Sequence, residues 1–158
     1  MSLEALVKNE LAGWSSFHGN ERLLEVSDGD HQLTCPVVAL DRLACAFTRL
    51  SVRSQAASPK NMAELQEVAK RLSGRLTYLL EPISPIEVDA HGCTVQMRST
   101  PPQKDDDGLS YYELLVDRDG QLSLCRYRRA AAATRTVIPC EVTREVFARL
   151  VQDFAAAA

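Results

Sequence analysis

The stretch SYYELLVDRDGQLSLCRYRR, residues 110–129, decides the fold. Two runs that alternate apolar and polar residues flank Asp119-Gly120, the pattern of an antiparallel hairpin whose glycine takes the positive φ of a tight turn. Two registers compete. A two-residue Asp119-Gly120 loop sets Glu113 opposite Arg126 and Tyr112 opposite Tyr127, with an ion pair across the strands. A three-residue Arg118-Asp119-Gly120 loop, with Gly120 in a bulge, puts Leu114 and Val116 on one face with Leu122 and Leu124. Burying an aliphatic side chain is worth roughly 1.5 to 3 kcal/mol, whereas a cross-strand ion pair contributes about 0.2 to 1 kcal/mol. The second register is therefore expected. The opposite face then carries Tyr111, Glu113, Leu115, Ser123, Cys125 and Tyr127, with Tyr111 across from Tyr127, and is expected to lie open to solvent or to a partner.

Working outward, PIEVDAHGCTVQMRS reads as a second hairpin. A two-residue His91-Gly92 loop sets Val88 opposite Val95 and Ile86 opposite Met97, which gathers an apolar face. Upstream, LTYLLE reads as a strand, and the prolines of EPISP as a kink kept out of any central ladder. TPPQKDDDG reads as a polar loop, Ala130 to Arg135 as a mobile connection, and TVIP as a short edge strand.

Helical spacing appears in four places. Leu3, Leu6, Val7, Leu11, Trp14 and Phe17 predict an amphipathic helix over 3–17. Leu40, Leu43, Phe47 and Leu50 predict another over 38–52. Met62, Leu65, Val68 and Leu72 form the stripe of a third, with Ser58 as cap, Pro59 in its first turn and Gly74 at its end. Thr143 caps a last helix carrying Val146, Phe147, Leu150, Val151 and Phe154. Between the first two, RLLEVSDGDHQLTC reads as a hairpin about Asp28-Gly29. Strands grouped apart from helices indicate a single α+β domain over 1–158: a hairpin-rich antiparallel sheet of about six to eight strands with about four helices on one face.

Composition narrows the function. The 158 residues suffice for one self-sufficient core. The 18 basic and 21 acidic side chains leave a net charge of -3, which argues against a general nucleic-acid binder. No apolar run approaches the length of a membrane span, and the N-terminus has no secretory pattern. Five cysteines, an odd number with no CxxC pair, fit a reducing compartment, so a cytoplasmic protein is expected. GxSxG, GxxxxGK[ST] and GxGxxG are absent. With Gly120 or Gly108 at the sixth place of a calcium loop, the first and twelfth places hold residues that cannot serve together as ligands, so no metal is expected. His18, His31 and His91 fall at hairpin ends or loops, and the cysteines read as small buried hydrophobes.

The remaining signal is charge patterning. Arg126, Arg128, Arg129 and Arg135 follow Gly120 without an acid before Glu141, while 104–119 is acidic. Aromatic and arginine side chains are enriched at interfaces. The expected function is thus a non-catalytic protein-interaction domain that binds a protein partner or itself as a homodimer, with Tyr111, Glu113, Arg126, Tyr127 and Arg128 as partner-binding residues and no cofactor. The alternative is an enzyme or small-ligand binder with a pocket between sheet and helices, built on groups such as Glu113, Arg126 and Arg98.

Overall fold

The computed structural model describes residues 1–55, 58–130 and 133–158. Its elements run α1 (Leu3–Ala12), β1 (Phe17–Ser27), β2 (His31–Leu40), β3 (Ala44–Phe47), β4 (Leu50–Ser54), α2 (Met62–Arg75), β5 (Ile83–Asp89), β6 (Thr94–Ser99), β7 (Gln103–Asp105), β8 (Gly108–Asp117), β9 (Gln121–Arg129), β10 (Thr136–Ile138), β11 (Cys140–Thr143) and α3 (Arg144–Ala157). The class is α+β as expected, with eleven strands and three helices among the described residues rather than six to eight and four.

The β8–β9 hairpin takes the three-residue loop. Leu114 faces Leu124 and Val116 faces Leu122, Tyr111 faces Tyr127, and Gly120 adopts φ 81°. Asp117 closes the turn by accepting the Asp119 and Gln121 amides. Leu50 and Val52 of β4 extend the same buried layer onto Leu124 and Leu122, and Val95 and Met97 of β6 extend it from Val116 and Leu114. All three helices bury their apolar stripes in this core; Phe147 of α3 meets Phe47 at 5.2 Å between ring centroids.

The helix expected over 38–52 is not formed. Those residues are the end of β2 and the strands β3 and β4. The Asp41 carboxylate accepts the Leu43 and Ala44 amides, an Asx turn that reverses the chain where a helix would continue. Leu43, read as part of a helical stripe, is 72% exposed at that turn. Cys45, Phe47, Leu50 and Val52 are buried with a one-residue slip between β3 and β4, and this slip made a period of two resemble one of three to four.

Smaller corrections have similar local causes. α1 stops at Ala12, and β1 begins at Phe17. α2 is capped by Asn61 in a reciprocal box with Glu64, not by Ser58, and continues through Gly74. Residues 76–81, read as a strand, make none: Leu76 and Leu79 are buried, but Leu80 turns to φ 66° and breaks the alternation. The β5–β6 pair keeps Val88 opposite Val95, yet Asp89 accepts the His91 and Gly92 amides and opens the loop to four residues. A bulge after Pro85 then sets Pro85, not Ile86, against Met97 and leaves Ile86 and Val88 exposed. The polar loop includes β7, which pairs with the start of β8. The mobile connection expected at Ala130–Arg135 includes Ala131 and Ala132, which lie outside the described residues.

Pairing also divides the sheet. β3 and β4 lie end to end along one edge of β2. On their far side β4 bonds to β9, while β3 bonds to β11. The lower part of β9 bonds instead to β10. Each of these pairs is antiparallel, so β10 and β11 run in opposite directions and the chain reverses at Pro139. Among the described residues β10 pairs only with β9 and β11 only with β3. Past the Leu50–Leu124 pair the sheet therefore forks, with β11 on one prong and β10 on the other.

Two stability predictions follow from this packing. A side chain at Gly108, held at φ 146°, would overlap the Arg129 carbonyl oxygen, whereas one at Gly74 on α2 meets open space. Gly108→Ala is expected to cost about 2 kcal/mol or more in urea unfolding, and Gly74→Ala to add about 0.5 to 1 kcal/mol. Burial pushes the thiols of Cys35, Cys45 and Cys140 upward, Cys45 from 9.0 to about 12. The folded state thus keeps protons that the unfolded chain gives up, so stability is full below about pH 8 and falls as pH rises through 9 toward 12. Urea midpoints measured under reductant between about pH 7 and 11 should fall, and less steeply in Cys45→Ala.

Candidate functional site

Strand alternation distributes the five residues read as partner-binding over both faces of the sheet. Tyr111, Glu113 and Tyr127 lie on the face away from the helices; Arg126 and Arg128, paired with Tyr112 and Ser110, lie on the helix side.

The face away from the helices is covered at this point. Glu113 is only 6% exposed there, and its Oε2 receives Arg135 Nη1 and lies 3.6 Å from Arg98 Nη2. Arg98 also stacks on Tyr111 at 4.6 Å and Arg135 on Tyr127 at 3.9 Å, while the two tyrosine rings are 6.0 Å apart. Hydrogen bonds to Tyr111 and Glu113 raise the Arg135 pKa, holding its charge. Arg49 Nε donates to Cys125 Sγ beside them. The tyrosines and the carboxylate thus form the floor of an arginine-capped layer. Arg98, a pocket candidate in the sequence, and Arg135, part of its basic run, have no local signal tying them to Glu113, because the contact depends on the sheet register.

On the helix side, Arg126 forms the base of a cleft of about 750 Å³ at the fork. Its Nη1 donates to Glu81 Oε2 at 2.8 Å, its Nη2 to Gln103 Oε1 at 3.0 Å, and its guanidinium stacks on Tyr112 at 4.4 Å. Both members of the Arg126–Glu81 pair are largely buried, so the ion pair is fixed in geometry; Glu81 Oε1 has no partner among the described residues. Burial raises the Tyr112 pKa, keeping the phenol neutral. Leu79, Pro82, Pro101, Ile138 and Pro139 make the apolar walls, and Glu141 stands on the rim.

The connection 76–82 holds one wall in place. Tyr78 donates to Asp153 of α3 at 2.6 Å under a stacked Arg149, and the Thr100 amide donates to the Pro82 carbonyl. Between these anchors Leu80 projects into solvent, 96% exposed, in a left-handed conformation that a leucine enters at a cost of about 1 kcal/mol or more. Arg128 sits beyond the cleft, forked onto Asp105, whose pKa this hydrogen bond lowers.

All five cysteines are free thiols, four of them buried, and no cluster of metal-ligating side chains gathers among the described residues. No helix among the described residues is long and apolar enough to cross a membrane. Comparison with protein-family models, with curated proteins and with solved structures finds no match.

The capped layer carries a prediction of its own. Glu113→Ala leaves two guanidinium groups without their shared carboxylate and is expected to cost about 1 to 3 kcal/mol in urea unfolding. Glu113→Gln keeps the shape and an acceptor, and should cost roughly half as much.

Proposed function

We propose that this chain is a non-catalytic protein-interaction domain that receives an extended segment of a protein partner in the cleft at the fork of the sheet. The observation that carries the reading is Leu80: a fully exposed leucine, held in a strained backbone conformation by anchored neighbours, on the rim of a cleft with apolar walls and a fixed polar base. Strain and exposed apolar surface both oppose stability, and together they favour a binding role over a structural one. Arg126, committed to Glu81 and Gln103, supplies orientation rather than chemistry in this reading. Arg128 lies just outside the cleft, and Tyr111, Glu113 and Tyr127 belong to the opposite face, where they support the sheet.

A second reading has the same cleft holding a small polar organic ligand, favoured by the convergence of Arg126, Glu81, Gln103 and Tyr112 on one base. The two differ at Leu80, which a protein segment would cover and a small ligand seated on the base would not need.

Selection of a displayed linear-peptide library on the purified chain tests this. Burying one leucine is worth roughly 1.5 to 3 kcal/mol, so Leu80→Gly should weaken the enriched peptides about tenfold or more. Glycine relaxes the backbone there while loosening the unfolded chain, so stability should stay within about 1 kcal/mol. Peptides that bind Leu80→Gly as tightly as the parent, or no enrichment at all, would remove the proposal.

A further inference from the structure

Beside the first cleft lies a second, of about 700 Å³, on the other prong of the fork; the two share Pro139 and Glu141 as a common wall. Its floor can be read from the ladder. His18 pairs with Ala39, Ala39 with Ala46, and Ala46 with Glu141, so these four side chains form one row across β1, β2, β3 and β11. The alternate positions Leu40, Cys45 and Cys140 are buried in the core, which turns the row away from the helices. Two methyl groups therefore form a flat apolar floor about 5 Å wide between strands, with a carboxylate at one end and an imidazole at the other. Glu141 is exposed and makes no ion pair among the described residues.

We infer that this trough receives a basic side chain, lysine or arginine, of the segment bound in the neighbouring cleft. The aliphatic stem lies on Ala39 and Ala46 and the charged head meets Glu141, the division of labour by which long basic side chains cover apolar surface while keeping their charge solvated. Two carboxylates line the trough; Asp41 is engaged by the Leu43 and Ala44 amides, so charge complementarity turns the head to Glu141 and away from His18. Pro139 and Glu141 border both openings, so an extended segment that crosses the notch of the fork reaches the trough from the first cleft. The partner is thus identified by chemistry as an extended segment carrying a basic residue next to the part seated against Leu80. This inference rests on the peptide-binding reading above, and two measurements separate their failures.

The first addresses the trough alone. The ¹⁵N-labelled chain is titrated with N-acetyl-arginine methylamide, N-acetyl-lysine methylamide and, as an uncharged stem of similar length, N-acetyl-norleucine methylamide. The basic probes should shift the Ala39 and Ala46 amides, the relative size of the two responses choosing between guanidinium and ammonium. Norleucine should do so at least tenfold more weakly, and Glu141→Gln should abolish the difference. Equal responses to all three probes, or a charge preference that survives Glu141→Gln, would overturn the assignment. The second uses the peptides selected on the parent chain. They should be enriched in a basic residue and lose about tenfold in affinity on Glu141→Gln. Peptides that need Leu80 but are indifferent to Glu141 would overturn the trough and leave the cleft standing. Basic probes shifting Ala39 and Ala46 with no peptide enriched would do the reverse.

Discussion

The packing of Leu114 and Val116 against Leu124 and Leu122 is the contact on which the molecule is organised. In a strand one residue of slippage exchanges the two faces completely, so the extra residue admitted by Gly120 determines what the helices meet. With it in place, β4 and β6 find apolar neighbours on either side of the hairpin and the layer continues to Leu33 and Leu24 at one edge. The shorter loop would have exchanged this for a visible ion pair. That the larger burial term prevails follows from size: several aliphatic side chains leave water together, against one charge pair screened by solvent.

The same alternation explains how one arginine-rich strand serves two environments. Arg126 and Arg128 point to the helix side, beyond the reach of the helices, where acidic residues from 81 and from the 103–107 segment meet them. Tyr127, between them in sequence, lies on the other face under Arg135. A carboxylate in the middle of a sheet face would be costly to dry out without compensation; Glu113 tolerates its burial because two guanidinium groups arrive from separate segments. The aromatic rings beneath add stacking surface, so charge neutralisation and packing are achieved by the same side chains.

Much of the fold is legible in the sequence where one physical term dominates. The β8–β9 register, the Val88–Val95 pairing and the Thr143 cap with its apolar stripe can all be argued from residues near one another in the chain. The 38–52 segment is not legible in this way, because Asp41 reverses the chain with two side-chain hydrogen bonds while the leucine spacing imitates a helix. Residues 76–81 mislead for the opposite reason, since Leu80 leaves the β region through tertiary anchoring at Tyr78 and Pro82 rather than through its own preference. The cleft was beyond reach for a related cause. Arg126 stands out in the sequence by its charge, but Glu81 and Gln103 lie 45 and 23 residues from it, and only the assembled sheet brings them together.

The division of the sheet at Pro139 has a mechanical side. Ladder hydrogen bonds resist shear between neighbouring strands, and between β10 and β11 there are none among the described residues. Past the Leu50–Leu124 pair, the two halves are tied chiefly by Pro139 and by α3, which rests on β3, β4 and β11 and is bound through Asp153 to the wall carrying Leu80. The C-terminal helix is therefore a brace across the notch. The last fifteen residues of the chain thus join the two sides of the opening although none of them lines it.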